Sequence, residues 1–138
     1  MGLALYKNRK ILTGTNGGAK EIIYNYNIGG KLLEDYVSKR GIINRYNELS
    51  KAGYLYSPKD IASQNNEYSI QTYSEMGEKL GKSISKLLHK YSIEIVIFGG
   101  QISKSLKLFK NSFLKEMSNI KVIEAIDIDN SALIGAMF

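Results

Sequence analysis

The sequence predicts an α/β fold, and three observations carry that prediction. From about Glu67 onward the apolar pattern alternates helix, strand, helix, strand, helix. The two strand segments, "IEIVIFGG" and "KVIEAIDI", are near-continuous runs rich in β-branched residues, the pattern of strands covered on both faces. The first run ends in two glycines and leads into a helical pattern. Such alternation calls for parallel strands joined by right-handed crossovers.

The elements follow in chain order. Two apolar-rich arms, Leu3 to Tyr6 and Lys10 to Thr13, flank Lys7, Asn8 and Arg9 and predict a short hairpin turning at the Asn. After a glycine-rich stretch, Leu33, Tyr36, Val37, Ile43 and Tyr46 stand near helical spacing, with Gly41 as a weak point inside that helix. Ser57 before Pro58, with Asp60 three residues on, is a helix start. From Glu67 to Tyr91, Tyr73, Met76, Leu80, Ile84, Leu87, Leu88 and Tyr91 repeat at 3.6-residue spacing. That is a long packed helix. Gly77 and Gly81 lie on nearly one side of it, where small residues admit a close neighbour, either within the fold or across a dimer face. After the first strand, Ser103 is placed to cap a helix that turns Leu106, Phe109, Phe113 and Met117 inward. Asp129 or Asn130 caps a closing helix, "SALIGAMF".

Composition narrows the chemistry. The 138 residues suffice for one domain with a real core, and a single Pro with no low-complexity tract offers no linker. No run of 18 apolar residues and no signal-peptide pattern is present, so a cytoplasmic location and no membrane partner are expected. Zero Cys and one His, His89, argue against disulfides, thiol catalysis and zinc. The net charge is +6, but 16 of the 19 basic residues are Lys, scattered without a dense run, and only Arg9, Arg40 and Arg45 offer the planar fork that reads phosphates and bases. A nucleic-acid partner is not expected.

Two stretches are candidates for ligand contact. "GTNGGAKEIIYN", Gly14 to Asn25, places three glycines in five positions just before Glu21 and by itself suggests a phosphate cradle. "VIFGGQISKS" sets Gly99 and Gly100 between a strand end and a helix start, where free amides and the helix dipole favour a nucleotide or phosphate; a tight turn alone gives the same sequence. Neither a Walker lysine nor a GxGxxG pattern accompanies it.

Several motifs in order resemble the ROK family, bacterial sugar kinases and related sugar-responsive repressors. "LTGTNGGAKEIIYN" is similar to the family's glycine-rich turn followed by Gly-Glu-Ile-Gly-His, and "LLEDYVSKRGI" to its Leu-Glu-x-x-x-Ser element. "IVIFGGQISKS" resembles its adenosine-side glycines, and "SALIGAM" its closing helix. The resemblance spans nearly all 138 residues. It implies an actin-like, ribonuclease-H-like carboxyl-terminal lobe: a mixed sheet with an initial hairpin and flanking helices. It further implies ATP, with magnesium, phosphorylating a sugar hydroxyl. Glu21 and Glu34 match the two sugar-binding glutamates, Tyr24 stands at the family's histidine, and Gly99 and Gly100 match the adenosine-side glycines. An ionised carboxylate accepts hydrogen bonds from vicinal hydroxyls, which suits the glutamates to this role.

The departures are equally specific. Lys20 and Ile23 replace family glycines, Tyr24 replaces the histidine that contacts sugar and zinc, and "NYNIGGK" stands where a cysteine-rich zinc loop belongs, so zinc is not expected. Met1 and Gly2 align with the tail of the second phosphate motif, and the 138 residues include neither the first phosphate loop nor the Asn-Asp pair of the catalytic base. The expectation is a single lobe, residues 1–138, without its amino-terminal partner and not competent in phosphoryl transfer alone. Some apolar surface should then stand exposed. The alternative is a non-catalytic regulator or dimerisation module of the same family, as a homodimer.

Overall fold

The computed structural model describes residues 1–53, 55–117 and 119–126. The proposed closing helix and its caps lie outside them. Strands β1 (Leu5–Lys7) and β2 (Lys10–Leu12) form the expected antiparallel hairpin, in register Leu5↔Leu12, Tyr6↔Ile11 and Lys7↔Lys10. Both loop residues, Asn8 and Arg9, have positive φ (53° and 61°), the turn whose twist matches that of the flanking strands. A second hairpin, β3 (Asn27–Ile28) with β4 (Lys31–Leu32), turns at Gly29 and Gly30, φ +59° and +86°. This hairpin is not among the expected elements, although its Gly-Gly pair is a turn signal.

Helix α1 (Leu33–Val37) stops at Ser38, and α2 (Lys39–Ser50) starts there. The break is thus three residues earlier than the weak point at Gly41. Ser38 takes extended backbone (ψ 167°), and its Oγ accepts a hydrogen bond from the Gly41 amide at 3.2 Å, an N-cap for the new helix. Gly41 instead permits a close approach: a Cβ there would lie 2.8 Å from the Asp35 carbonyl carbon. Helix α3 (Pro58–Gln64) opens on the predicted cap. Asp60 Oδ2 accepts from the Ser57 amide (3.0 Å) and Ser57 Oγ accepts from the Asp60 amide (3.2 Å), two otherwise unpaired donors satisfied reciprocally.

Helix α4 (Glu67–Tyr91) is capped by Asn66, whose Oδ1 accepts from the Ser69 amide at 2.8 Å. Its buried stripe, Tyr73, Met76, Leu80, Ile84, Leu87 and Leu88, is the predicted one and forms the centre of the core. Gly77 and Gly81 face α5 (Leu106–Phe113) within the chain. A Cβ at Gly77 would sit 2.5 Å from the Phe109 carbonyl oxygen, and one at Gly81 would sit 3.1 Å from the Phe113 carbonyl carbon. The small residues therefore serve an internal helix pair.

Ser103 does not cap α5. It is buried in a one-turn 3-10 segment, Gln101–Ser105, and its Oγ donates to the Gly100 carbonyl at 2.7 Å, so the α-helix begins three residues later. That back-bond offers the chain a tighter turn than the helix.

Strands β5 (Ile95–Phe98) and β6 (Lys121–Glu124) pair in parallel, Ile95↔Lys121 through Phe98↔Glu124, as the alternation predicted. Phe98 packs edge-on against Phe109 (5.3 Å between centroids) and Phe113 (5.1 Å), which fixes the inner face of β5 on α5. The outer face departs from the expected double cover: Ile95 is 49% and Ile97 63% exposed. Tyr6 and Ile11, facing each other on the hairpin, are 65% and 64% exposed. Antiparallel and parallel pairings both occur, as a mixed architecture requires, but among the described residues they form separate two-stranded pairs.

Candidate functional site

The glycine-rich stretch closes on itself. Gly14 N donates to Gly18 O (2.9 Å), Gly17 N to Gly14 O (3.0 Å), and Gly18 N to Asn16 Oδ1 (3.1 Å), with Thr13 bridged to Ala19. Three amides that would cradle a phosphate are consumed by the turn. The stretch delivers Glu21 to the far end of α4, where Oε1 accepts from Lys90 Nζ (2.8 Å) and from the Tyr91 hydroxyl (2.6 Å). Lys90 first, and Tyr91 second, hold the Glu21 carboxyl below its ordinary range; the same contact raises the Tyr91 phenol and Lys90. Both bonds fall on Oε1, which leaves Oε2 to accept from a ligand hydroxyl.

Tyr24 and Glu34 are brought together by backbone, the Glu34 amide donating to the Tyr24 carbonyl at 3.0 Å. The Tyr24 side chain is 47% exposed. Glu34 Oε2 accepts from the Met1 ammonium at 2.9 Å.

Gly99 and Gly100 follow β5 directly. Gly100 has φ +80°, a conformation L side chains rarely take, and open space surrounds the position a Cβ would fill. Its carbonyl is occupied by Ser103 N and Oγ. The two glycines and Glu34 line one groove of about 1420 Å³ between β1 and β5, floored by Met76, Leu80 and Ile84 of α4. Glu21 and Tyr24 do not line it. Tyr91 precedes β5 and Gly99 follows it, so Glu21 is anchored at the opposite end of that strand from the glycines.

Among the described residues no three His, Cys, Asp or Glu side chains gather as a metal site, and no helix is long and apolar enough to cross a membrane. A magnesium ion here would depend on nucleotide phosphates for most of its oxygens rather than on a protein cage.

The whole sequence matches the ROK family model over residues 1–138. The chain belongs to the ROK family. No curated protein matches the chain. Among solved structures, this ROK chain is similar to a protein from Cytophaga hutchinsonii named only as a candidate sugar kinase, with 21% identity and a TM-score of 0.81. The match covers 96% of this chain and 52% of that one. It is similar to a ROK glucokinase from Streptomyces griseus in complex with glucose and AMPPNP, with 15% identity, a TM-score of 0.79, and 96% and 55% of the two chains covered. A ROK transcriptional regulator, homologous to the E. coli MLC protein, matches with 19% identity and a TM-score of 0.71 over 85% of this chain and 37% of its own. At these identities the likeness shows the fold, which is actin-like. The chain spans about half the length of the first two.

Sequence reasoning missed Lys90 as a partner of Glu21 and placed Tyr91 only in the apolar stripe. Residues 69 and 70 positions away carry no local signal of that meeting.

Proposed function

We propose that this chain is the carboxyl-terminal lobe of a ROK sugar kinase, which phosphorylates a hexose or N-acetylhexosamine with ATP and magnesium, and that the 138 residues alone bind nucleotide without turning over. The observation that carries the reading is that Gly99, Gly100 and Glu34 line one groove, which holds both a side-chain-free turn at a strand end and a carboxylate. In this reading the turn takes the nucleotide. Glu34 and Glu21 accept sugar hydroxyls, with Tyr24 beside them. Glu21 is anchored at the end of β5 opposite the glycines, which sets it apart from the nucleotide side in this reading. Support for a sugar and a nucleotide comes from the glucose and AMPPNP held by the Streptomyces griseus neighbour.

The test is calorimetric titration of the purified chain with AMPPNP, alongside ATP-dependent phosphorylation of glucose, N-acetylglucosamine and N-acetylmannosamine. Nucleotide binding that Gly100→Val weakens, without turnover, supports the proposal. Robust turnover would sink the claim of incompetence, and absence of nucleotide binding would sink the assignment of the glycines.

A second reading, a non-catalytic ROK regulator or homodimerising module, is favoured by the likeness to the transcriptional regulator. It predicts a stable dimer by light scattering and no nucleotide dependence.

A further inference from the structure

The glycine-rich turn brings together the parts of a reaction on its own backbone. Asn16 is the one Asn in the sequence followed by Gly, and it stands in an exposed run, residues 15–20. A bond between Asn16 Cγ and Gly17 N would close a ring of five members. Gly17 has φ +77° and open space where a Cβ would be, so no side chain shields that nitrogen. Gly18 N donates to Asn16 Oδ1 at 3.1 Å, which polarises the carbonyl and sets a donor beside the oxygen that becomes anionic when Cγ is attacked. One hydrogen bond, Gly17 N to Gly14 O at 3.0 Å, holds the nitrogen in the closed turn. In an exposed loop such a bond opens locally, without global unfolding. Two other exposed Asn residues lack this combination. Asn27 Oδ1 accepts from the Gly30 amide at 3.1 Å in the same manner, but β-branched Ile28 follows it. Asn8 lies in the hairpin turn and is followed by Arg9.

We propose that Asn16 and Gly17 form a site of self-modification, at which Asn16 is converted through a cyclic imide to an aspartyl or isoaspartyl residue. Solvent base takes the Gly17 amide proton and the nitrogen attacks Asn16 Cγ. The Cγ–Nδ2 bond then breaks, and ammonia leaves with a proton from solvent. Water opens the ring. Opening at Cγ leaves an aspartyl side chain; opening at the main-chain carbonyl leaves the backbone running through Cβ and Cγ, one carbon longer. Either product exchanges a neutral amide for a carboxylate and lowers the net charge of +6 by one unit. The longer backbone no longer fits the closure in which Gly14 N donates to Gly18 O at 2.9 Å and Thr13 is bridged to Ala19. That closure leads the chain to Glu21, so the modification loosens the segment that carries the contact with Lys90 and Tyr91. The inference does not depend on the kinase reading.

The test holds the full 138-residue chain, folded and without ligand, at pH 8 and follows the peptides containing Asn8, Asn16 and Asn27 by mass spectrometry. Expected is a gain of one mass unit at Asn16 at least tenfold faster than at Asn8 or Asn27, with matching release of ammonia. The rate should fall severalfold at pH 7, because the Gly17 amide must lose its proton. Asn16→Gln keeps the amide but would need a six-membered ring, and it should slow the conversion at least tenfold; Gly17→Val, which shields the nitrogen, should do the same. In the isoaspartyl product, separated by ion exchange, the Gly14 amide should exchange its hydrogen at least tenfold faster than in the unmodified chain. Conversion at Asn16 no faster than at Asn27 overturns the inference. Conversion seen only in urea also overturns it, since the closed turn would then protect the nitrogen. Unchanged Gly14 exchange in the isoaspartyl product overturns the loosening of the segment.

Discussion

The Tyr91 hydroxyl donates a 2.6 Å hydrogen bond to Glu21 Oε1 across 70 residues of sequence, and Lys90 Nζ shares the same oxygen at 2.8 Å. This contact joins the segment after the first hairpin to the carboxyl end of α4. Because the Glu21 carboxyl is held below its ordinary range, chiefly by Lys90, the folded state binds its proton less readily than the unfolded chain. The stabilisation is complete above the ordinary carboxylate range and is lost as pH falls through the lowered value. Acid should therefore release this segment. In a titration of the Glu21 carboxyl carbon by NMR, Lys90→Met should raise the pKa more than Tyr91→Phe, and an unchanged pKa in both would refute the contact.

Gly81→Ala should destabilise the chain. In an exposed helix the change would help by about 1 kcal/mol, but here the new Cβ would lie 3.1 Å from the Phe113 carbonyl carbon. Forced repacking of a tight interface costs about 1–3 kcal/mol and outweighs the propensity gain. Urea denaturation measures the difference. A stabilised variant would show that α4 and α5 are not packed this closely.

Asn66→Ala should cost about 1 kcal/mol through loss of the α4 cap. Asn66 also donates from Nδ2 to the Tyr46 hydroxyl (3.2 Å) and to Gln64 Oε1 (3.0 Å), so Asn66→Asp, which keeps the cap but loses those donors, should recover only part of the stability. Thermal melts of the three proteins decide this.

Arg45 forms a two-pronged pair with Glu75, Nε to Oε2 at 2.6 Å and Nη2 to Oε1 at 2.9 Å, which ties α2 to α4. Both side chains are more than a third exposed, so screening limits the pair's worth, and Arg45→Ala should cost no more than about 1 kcal/mol. The cost should shrink in 1 M salt, where the screening length is about 3 Å. A loss insensitive to salt would point to packing of the Arg stem instead.

The sequence by itself determined the elements whose cause is local. The Asn8–Arg9 hairpin, the Ser57–Asp60 cap, the α4 stripe from Tyr73 to Leu88 and the two β-branched strands each rest on a turn, a cap or a period contained within a few residues. The ordered ROK motifs were legible for the same reason. Only the tertiary structure decided what depends on distant partners. It ended α1 at Ser38 rather than Gly41: the Ser38 side chain accepts the Gly41 amide, and Gly41 lets the backbone pass close to Asp35. It turned Gly77 and Gly81 toward α5, joined Glu21 to Lys90 and Tyr91, and set Glu34 in one groove with Gly99 and Gly100. It also left the outer face of β5 uncovered, although its apolar run reads as buried on both sides. Periodicity reports that a residue favours burial, whereas the neighbour that buries it is fixed only when segments far apart in the chain pack together.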